Sequence, residues 1–303
     1  MEQLAVAFDI KKIVFPGRGT LTDPYQVERW GRTHIDMTIN DGWGNNKHPE
    51  WSDSRKWRYV SGMVIPDYPH DYQDNGPCQR AEAAGVIART VDGRRIVDTT
   101  KHEGDATWCL LQPGETLGRF FACEAMLAGM DGWYGLFIDQ LMHTLGWGIA
   151  GIFQPDPLDA TAYPHGQTWT DDWVRTIQAM KEVLAYPILW NGPTRITENV
   201  NKIIKETHGF VIESDCHKVS ESYDPYGMLL EQNPGKIKFL VVQCRAADPE
   251  DIDTWEPGEW ERAKLAYAMA EACGDENTWI TYAHSGHGYD TLIVPGFCDR
   301  GGE

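Results

Sequence analysis

The chain has 303 residues, 42% of them hydrophobic and 24% charged, which suits one sizeable globular core and excludes a disordered chain. Its formal net charge of -18 repels phosphate, so nucleic acid and anionic membranes are excluded as partners. No apolar run reaches the roughly 18 residues that a membrane-spanning helix needs. The opening Met1 to Asp9 shows no basic and apolar leader, so no compartment is assigned, and an extracellular or virion-associated location is compatible with the text.

In chain order, the first half is expected to hold strands set in long loops. Ile10–Phe15 and His34–Ile39 are short apolar runs ending in glycine-rich text, and Arg58–Ile65 is a third, halted by Pro66. Residues 66–105 look irregular apart from one hairpin, Val86–Val91 and Arg95–Val97 about the turn Asp92-Gly93.

The second half alternates. Leu117–Met130 is helical, and Trp133–Ile138 is a buried strand stopping at Asp139. Thr170 or Asp171 caps a helix whose apolar face is Trp173, Ile177, Met180 and Leu184. Pro187–Trp190 is a strand ending at Asn191. Thr197 caps a helix carrying Val200, Ile203 and Ile204, and Gly209–Ile212 is a strand ending at Glu213. Ile237–Val242 is a strand ending at Gln243. Trp260–Cys273 is a helix with Leu265, Ala268, Met269 and Ala272 inward, closed by Gly274. Trp279–Tyr282 is the last strand and ends at His284.

Eight strands with helices between most of them predict an α/β fold, a (β/α)8 TIM barrel spanning residues 1–303 as a single domain with long loops in its first half. The alternative, an open doubly wound sheet, is disfavoured by the strand count and by the missing phosphate loop. Gly146-Trp-Gly-Ile-Ala-Gly151 has the glycine spacing but runs into Pro155 and Pro157 rather than a helix. Asp248 to Asp253 is acidic but lacks the glycine and terminal Glu of a calcium loop.

Four consecutive strands stop at a polar residue: Asp139, Asn191, Glu213 and Gln243. In a barrel these ends share the face where active sites lie. A carboxylate placed directly after Gly-Leu-Phe-Ile is costly without partners or a task. Two carboxylates facing each other across a barrel mouth suit glycoside hydrolysis, one attacking or stabilising the anomeric carbon and the other protonating the leaving oxygen. Phe210, Val211 and Ile212 are expected to give Glu213 a dry setting that favours its protonated form, as a general acid needs, while Asp139 stays ionised.

Asp131-Gly-Trp-Tyr-Gly-Leu-Phe-Ile-Asp139 resembles the "fDGlflD" fourth-strand motif of hypothetical glycosyl hydrolases with TIM barrels, relatives of the endo-α-1,4-polygalactosaminidase group. Arg89-Thr-Val-Asp-Gly93, Trp190-Asn-Gly192, and Phe210-Val-Ile-Glu213 followed by Gly235-Lys236 agree with it, and the resemblance covers residues 55–290. It implies a glycosidase whose catalytic pair is Asp139 and Glu213, with no cofactor.

Substrate contacts are expected from other strand ends: Asp41, Trp43, Asp67, Tyr68, Trp190, Asn191, Gln243, Arg245 and His284. His284 and His287 have the spacing of a metal pair, but no third ligand accompanies them and no metal is expected. The 13 Trp and 12 Tyr include many in loop-like text, where flat rings suit stacking on pyranose faces. Several Trp are therefore candidates to line a cleft, packing being the other use of such rings. Seven cysteines, Cys78, Cys109, Cys123, Cys216, Cys244, Cys273 and Cys298, are scattered without a C-x-x-C and are expected to be mostly free, partly buried thiols. The function expected is cleavage of a polysaccharide or oligosaccharide. The alternative is a non-catalytic carbohydrate-binding barrel within a larger assembly, such as a phage tail or cell-surface complex.

Overall fold

The computed structural model describes residues 11–14, 37–41, 55–67, 76–99, 107–127, 129–139, 153–154, 168–193, 195–215, 223–244, 259–284 and 291–292. The strands are β1 (Lys11–Val14), β2 (Met37–Asp41), β3 (Arg55–Ser61), β4 (Val64–Asp67), β5 (Val97–Asp98), β6 (Thr107–Leu110), β7 (Gly135–Asp139), β8 (Phe153–Gln154), β9 (Ile188–Asn191), β10 (Gly209–Asp215), β11 (Ile237–Cys244), β12 (Thr278–His284) and β13 (Thr291–Leu292). The helices are α1 (Pro77–Ala83), α2 (Glu115–Leu127), α3 (Trp169–Val183), α4 (Glu198–Glu206), α5 (Tyr223–Glu231) and α6 (Glu259–Cys273).

The fold is mixed α/β, built on a parallel sheet. Six strands, β3, β7, β9, β10, β11 and β12, pair in that order, all parallel. Parallel neighbours need crossovers, and helices α3 to α6 supply them between the later strands. At one edge β2 pairs in parallel with β3 and β1 with β2; Lys11 of β1 also stands opposite Trp279 of β12.

Side chains alternate between the two faces of each strand, and the burial follows that period. One face carries Trp57, Phe137, Leu189, Val211, Phe239, Val241 and Trp279 as one apolar cluster. Its rings meet edge to face, Trp57 with Tyr134 at 5.1 Å and Phe239 with Trp279 at 5.3 Å between centroids. The other face turns Ile138, Trp190, Phe210, Ile212, Leu240 and Val242 into the larger core that includes the helices. Gly135 begins β7 beneath Trp57. A Cβ there would lie 2.4 Å from the indole and 2.5 Å from the Pro187 carbonyl oxygen, so only glycine lets that ring sit down.

The helices form where periodicity and caps agree. Thr197 accepts the Val200 N–H at 3.1 Å, and Val200, Ile203 and Ile204 are buried, as expected. Trp173, Ile177, Met180 and Leu184 are the buried side of α3. That helix starts two to three residues earlier than expected: Thr168 is its N-cap residue, and its hydroxyl donates to Asp172 at 2.5 Å. In α6 the inward face is rotated from expectation. Ala266, Met269 and Ala270 are buried, whereas Leu265 is 37% exposed and Ala268 and Ala272 face solvent.

The expected third strand is interrupted. It splits at Gly62-Met63 into β3, in the parallel sheet, and β4, which leaves it for a separate four-stranded antiparallel sheet in the order β4-β6-β5-β8. Residues 76–99, expected to be irregular but for the hairpin, hold α1, the Arg89–Arg95 bridge of that hairpin about Gly93 (φ 87°), and β5.

Candidate functional site

Three strands deliver the site. Asp139 ends β7, Asn191 ends β9, and Glu213 lies in β10, each on the face that carries Phe137, Leu189 and Val211. β9 lies between the other two strands in the sheet, so Asn191 stands between the two carboxylates. Its amide nitrogen donates to Asp139 Oδ1 at 2.7 Å and to Glu213 Oε2 at 2.8 Å. Both partners are carboxylate oxygens and hence acceptors, which dictates that the NH2 end of the amide faces them. The two accepting oxygens therefore lie no more than about 5.5 Å apart, the two bonds laid end to end.

Asp139 is 2% exposed. Its second oxygen, Oδ2, accepts the Tyr59 hydroxyl at 2.6 Å from β3. A buried carboxylate needs such donors, since leaving one unmet costs about 1–3 kcal/mol or more. Tyr59 packs its ring on Phe137, centroids 5.8 Å apart, which fixes where the hydroxyl points. Ser61, in register with Asp139, has a buried hydroxyl without a hydrogen-bond partner among the described residues. Glu213 is half-buried.

Tyr59 and Ser61 were not anticipated. The signal for both was period two on β3: once Trp57 faces the cluster with Phe137, Tyr59 and Ser61 follow it onto Asp139's face. The same alternation corrects the expected surroundings of Glu213. Only Val211 shares its face, while Phe210 and Ile212 belong to the helix-covered core.

The remaining expected contacts divide. Trp190 is overturned as a substrate platform, because one step along β9 from Asn191 puts it on the opposite face, fully buried in the helix-side core. Asp67 lies in the antiparallel sheet, where Arg95 donates to its Oδ2 at 2.7 Å; it is engaged there rather than at the ends of the parallel strands. Asp41 ends β2 in register with Tyr59, Gln243 lies in β11 opposite Asp215 and Ala283, and His284 ends β12 opposite Cys244. Trp43, Tyr68, Arg245 and His287 lie outside the described residues, as do the glycine run 146–151 and the acidic stretch 248–253. The described indoles are core rather than cleft: Trp57, Trp108, Trp133, Trp169, Trp173 and Trp279 are buried like Trp190.

No protein-family model matches the chain, and no curated protein is recognisably similar to it. Solved structures with a comparable chain path include a sugar phosphate isomerase/epimerase from Parabacteroides distasonis, 9% identical, with a TM-score of 0.41 over 94% of this chain and 90% of that one. A pyruvate kinase from Pyrobaculum aerophilum is 10% identical, with a TM-score of 0.42 over 90% of this chain and 67% of that one. A Cryptosporidium parvum pyruvate kinase is 8% identical, with a TM-score of 0.41 over 95% and 68%. Likeness at this level assigns neither a family nor a chemistry.

Proposed function

We propose that the chain closes as a single (β/α)8 barrel and acts as a retaining glycoside hydrolase, with Asp139 as nucleophile and Glu213 as acid/base. The observation that carries the reading is the Asn191 amide shared between the two acids, which keeps their nearer oxygens within about 5.5 Å. Retaining enzymes separate their carboxyl groups by about 5–5.5 Å, whereas inverting enzymes need about 6.5–9.5 Å to admit a water. Closure is supported by β1, which pairs with both β2 and β12. The site would then lie at the C-terminal ends of the strands, where barrel enzymes work.

Asp139 has both oxygens accepting, from Asn191 and Tyr59, which is what an ionised carboxylate offers. It attacks the anomeric carbon. Glu213 accepts from Asn191 through Oε2, so the proton it delivers to the leaving oxygen is carried on Oε1. The glycosyl–Asp139 ester is then opened by a water that Glu213 deprotonates, which returns both acids to their starting states. Asp41, Gln243 and His284, at the ends of neighbouring strands, contact the sugar.

A net charge of -18 favours a neutral or cationic polymer over an acidic one. The resemblance of Asp131–Asp139 to the polygalactosaminidase-related group makes α-1,4-linked galactosamine polymers the first to try. The test is to incubate the full chain with such polymers and with neutral glucans and galactans, to count new reducing ends, and to read the anomer first released by NMR. Cleavage with retained configuration, abolished in Asp139→Asn, is expected. Release of the inverted anomer, or an Asp139→Asn chain as active as the parent, sinks the proposal. Binding without cleavage transfers the chain to a non-catalytic carbohydrate-binding role in a larger assembly.

A further inference from the structure

Asn191 is followed by Gly192, whose φ of 154° is a conformation that glycine enters without the steric cost a Cβ brings. The end of β9 therefore calls for glycine directly after the bridging asparagine. That pair carries a chemistry of its own. With no Cβ to shield it, the Gly192 nitrogen can close on the Asn191 amide carbon, Cγ. The nitrogen gives up its proton and bonds to Cγ; the Cγ–Nδ2 bond breaks, and Nδ2 takes a proton and leaves as ammonia. Water then opens the five-membered imide at either carbonyl, which leaves aspartate or isoaspartate at position 191. One water enters, one ammonia departs, and nothing is oxidised or reduced. Both residues are half-buried, so part of each is open to solvent.

The folded site opposes this closure at both reacting groups, but unequally. The Asn191 side chain stands off the sheet, and its Nδ2 is held by Asp139 Oδ1 at 2.7 Å and by Glu213 Oε2 at 2.8 Å. Bonds to charged acceptors are the strong ones. The Gly192 N–H donates to the Val211 carbonyl of β10 at 3.4 Å, a long bond of little strength. For Cγ to meet the Gly192 nitrogen, the amide must give up both carboxylates and turn back toward its own backbone. Gly192 surrenders little. The barrier therefore sits with the two acids.

We propose that Asn191 is a deamidation site kept closed by its own bridge: Asp139 and Glu213 hold the amide off the Gly192 nitrogen, and opening of the end of β9 commits it to irreversible conversion. The product matters because of where it lies. A carboxylate at position 191 offers acceptors where Asp139 and Glu213 require donors, and it sets a third negative charge between them. Isoaspartate also adds one methylene to the main chain of β9. Either product ends the bridge, whether or not the acids cleave sugars.

The full chain is kept in mildly alkaline buffer, folded in one sample and unfolded with guanidinium chloride in another. Peptide mapping by mass spectrometry follows the exchange of NH2 for OH at Asn191 and at Asn75, the other asparagine that precedes a glycine. In guanidinium the two should convert at similar rates. In the folded chain Asn191 should convert about 10^2-fold more slowly or less, the worth of two hydrogen bonds to charged groups. A folded Glu213→Ala chain, with one acid left on the amide, should recover about tenfold of that rate. Equal Asn191 rates in the folded and unfolded parent overturn the proposal, as does an Asn191 that survives in guanidinium while Asn75 converts. A folded Glu213→Ala chain in which Asn191 lasts as long as in the parent overturns it too. Asp139→Ala replaces that variant if it does not fold, and the parent comparison stands without either. Sugar cleavage is read in none of these samples, so failure here is separate from failure of the proposed activity.

Discussion

Two aspartates sit at opposite ends of the same parallel strands and are handled in opposite ways. Asp275 precedes β12, at the start of the strands, and accepts Lys238 Nζ at 2.7 Å. Lys238 is fully buried and also donates to the Asn233 carbonyl at 3.1 Å. Asp139, at the other end, is more deeply buried than Asp275, yet its two oxygens are met by the neutral donors Tyr59 and Asn191. A cation cancels a carboxylate's charge and occupies it. Neutral donors fix its position while leaving its charge available to a reacting centre. The first arrangement suits folding, and the second suits the role proposed for Asp139.

The largest expected effect tests that division at the strand ends. Glu213→Gln should lower turnover by about 10^2- to 10^4-fold, the usual worth of a positioned acid/base, with the thermal melting curve unchanged. A Glu213→Gln chain that melts early instead would mean that the residue is structural. At the other rim the outcome should reverse. Asp275→Asn strands the Lys238 charge in the core and should cost about 3–5 kcal/mol in urea unfolding, with turnover per folded molecule preserved. Next comes Tyr59→Phe, which removes one hydrogen bond to a charged oxygen. A loss of roughly 10- to 100-fold in kcat, with KM little changed, follows from the worth of such a bond; an unchanged kcat would reduce Tyr59 to packing.

The smallest effect concerns His208, just before β10. Its Nδ1 accepts the Ile188 N–H at 3.0 Å, so the ring must be neutral at that nitrogen. Burial, with Lys181 and Lys236 nearby, holds it below the usual histidine value. A lowered folded value means that the unfolded chain binds the proton first. This contribution to stability is therefore complete above about pH 6.5 and is lost as the pH falls from there through the folded value. Melting temperatures taken from pH 8 to pH 5 should drop more for the parent than for His208→Gln. Equal slopes would show that the histidine is not the titrating group.

Much of this was legible in the sequence because strand and helix periods are local. Asp139, Asn191 and Glu213 each follow an apolar run, and Thr197 announces its helix. What stayed hidden depended on pairing. In Arg58–Ile65 the glycine at 62 is a local mark of a break, but it does not say that β4 joins a second sheet or that Asp67 meets Arg95. The face of a residue is likewise set by register: a step of one position separates Asn191, at the site, from Trp190, in the helix-side core. Tyr59 became visible only when Trp57 was placed against Tyr134 and Phe239.

The shared amide of Asn191 has a consequence for how such a site diversifies. A nitrogen with two hydrogens, both committed, ties the spacing of the two acids to the positions of three neighbouring strands. On the proposed reading, segments that follow those strands can change in length and composition, and so in the polymer they grip, without resetting the distance between the two acids. Inheritance of chemistry is separated from inheritance of specificity, and lineages built on this scaffold are expected to keep the asparagine while their surrounding text drifts.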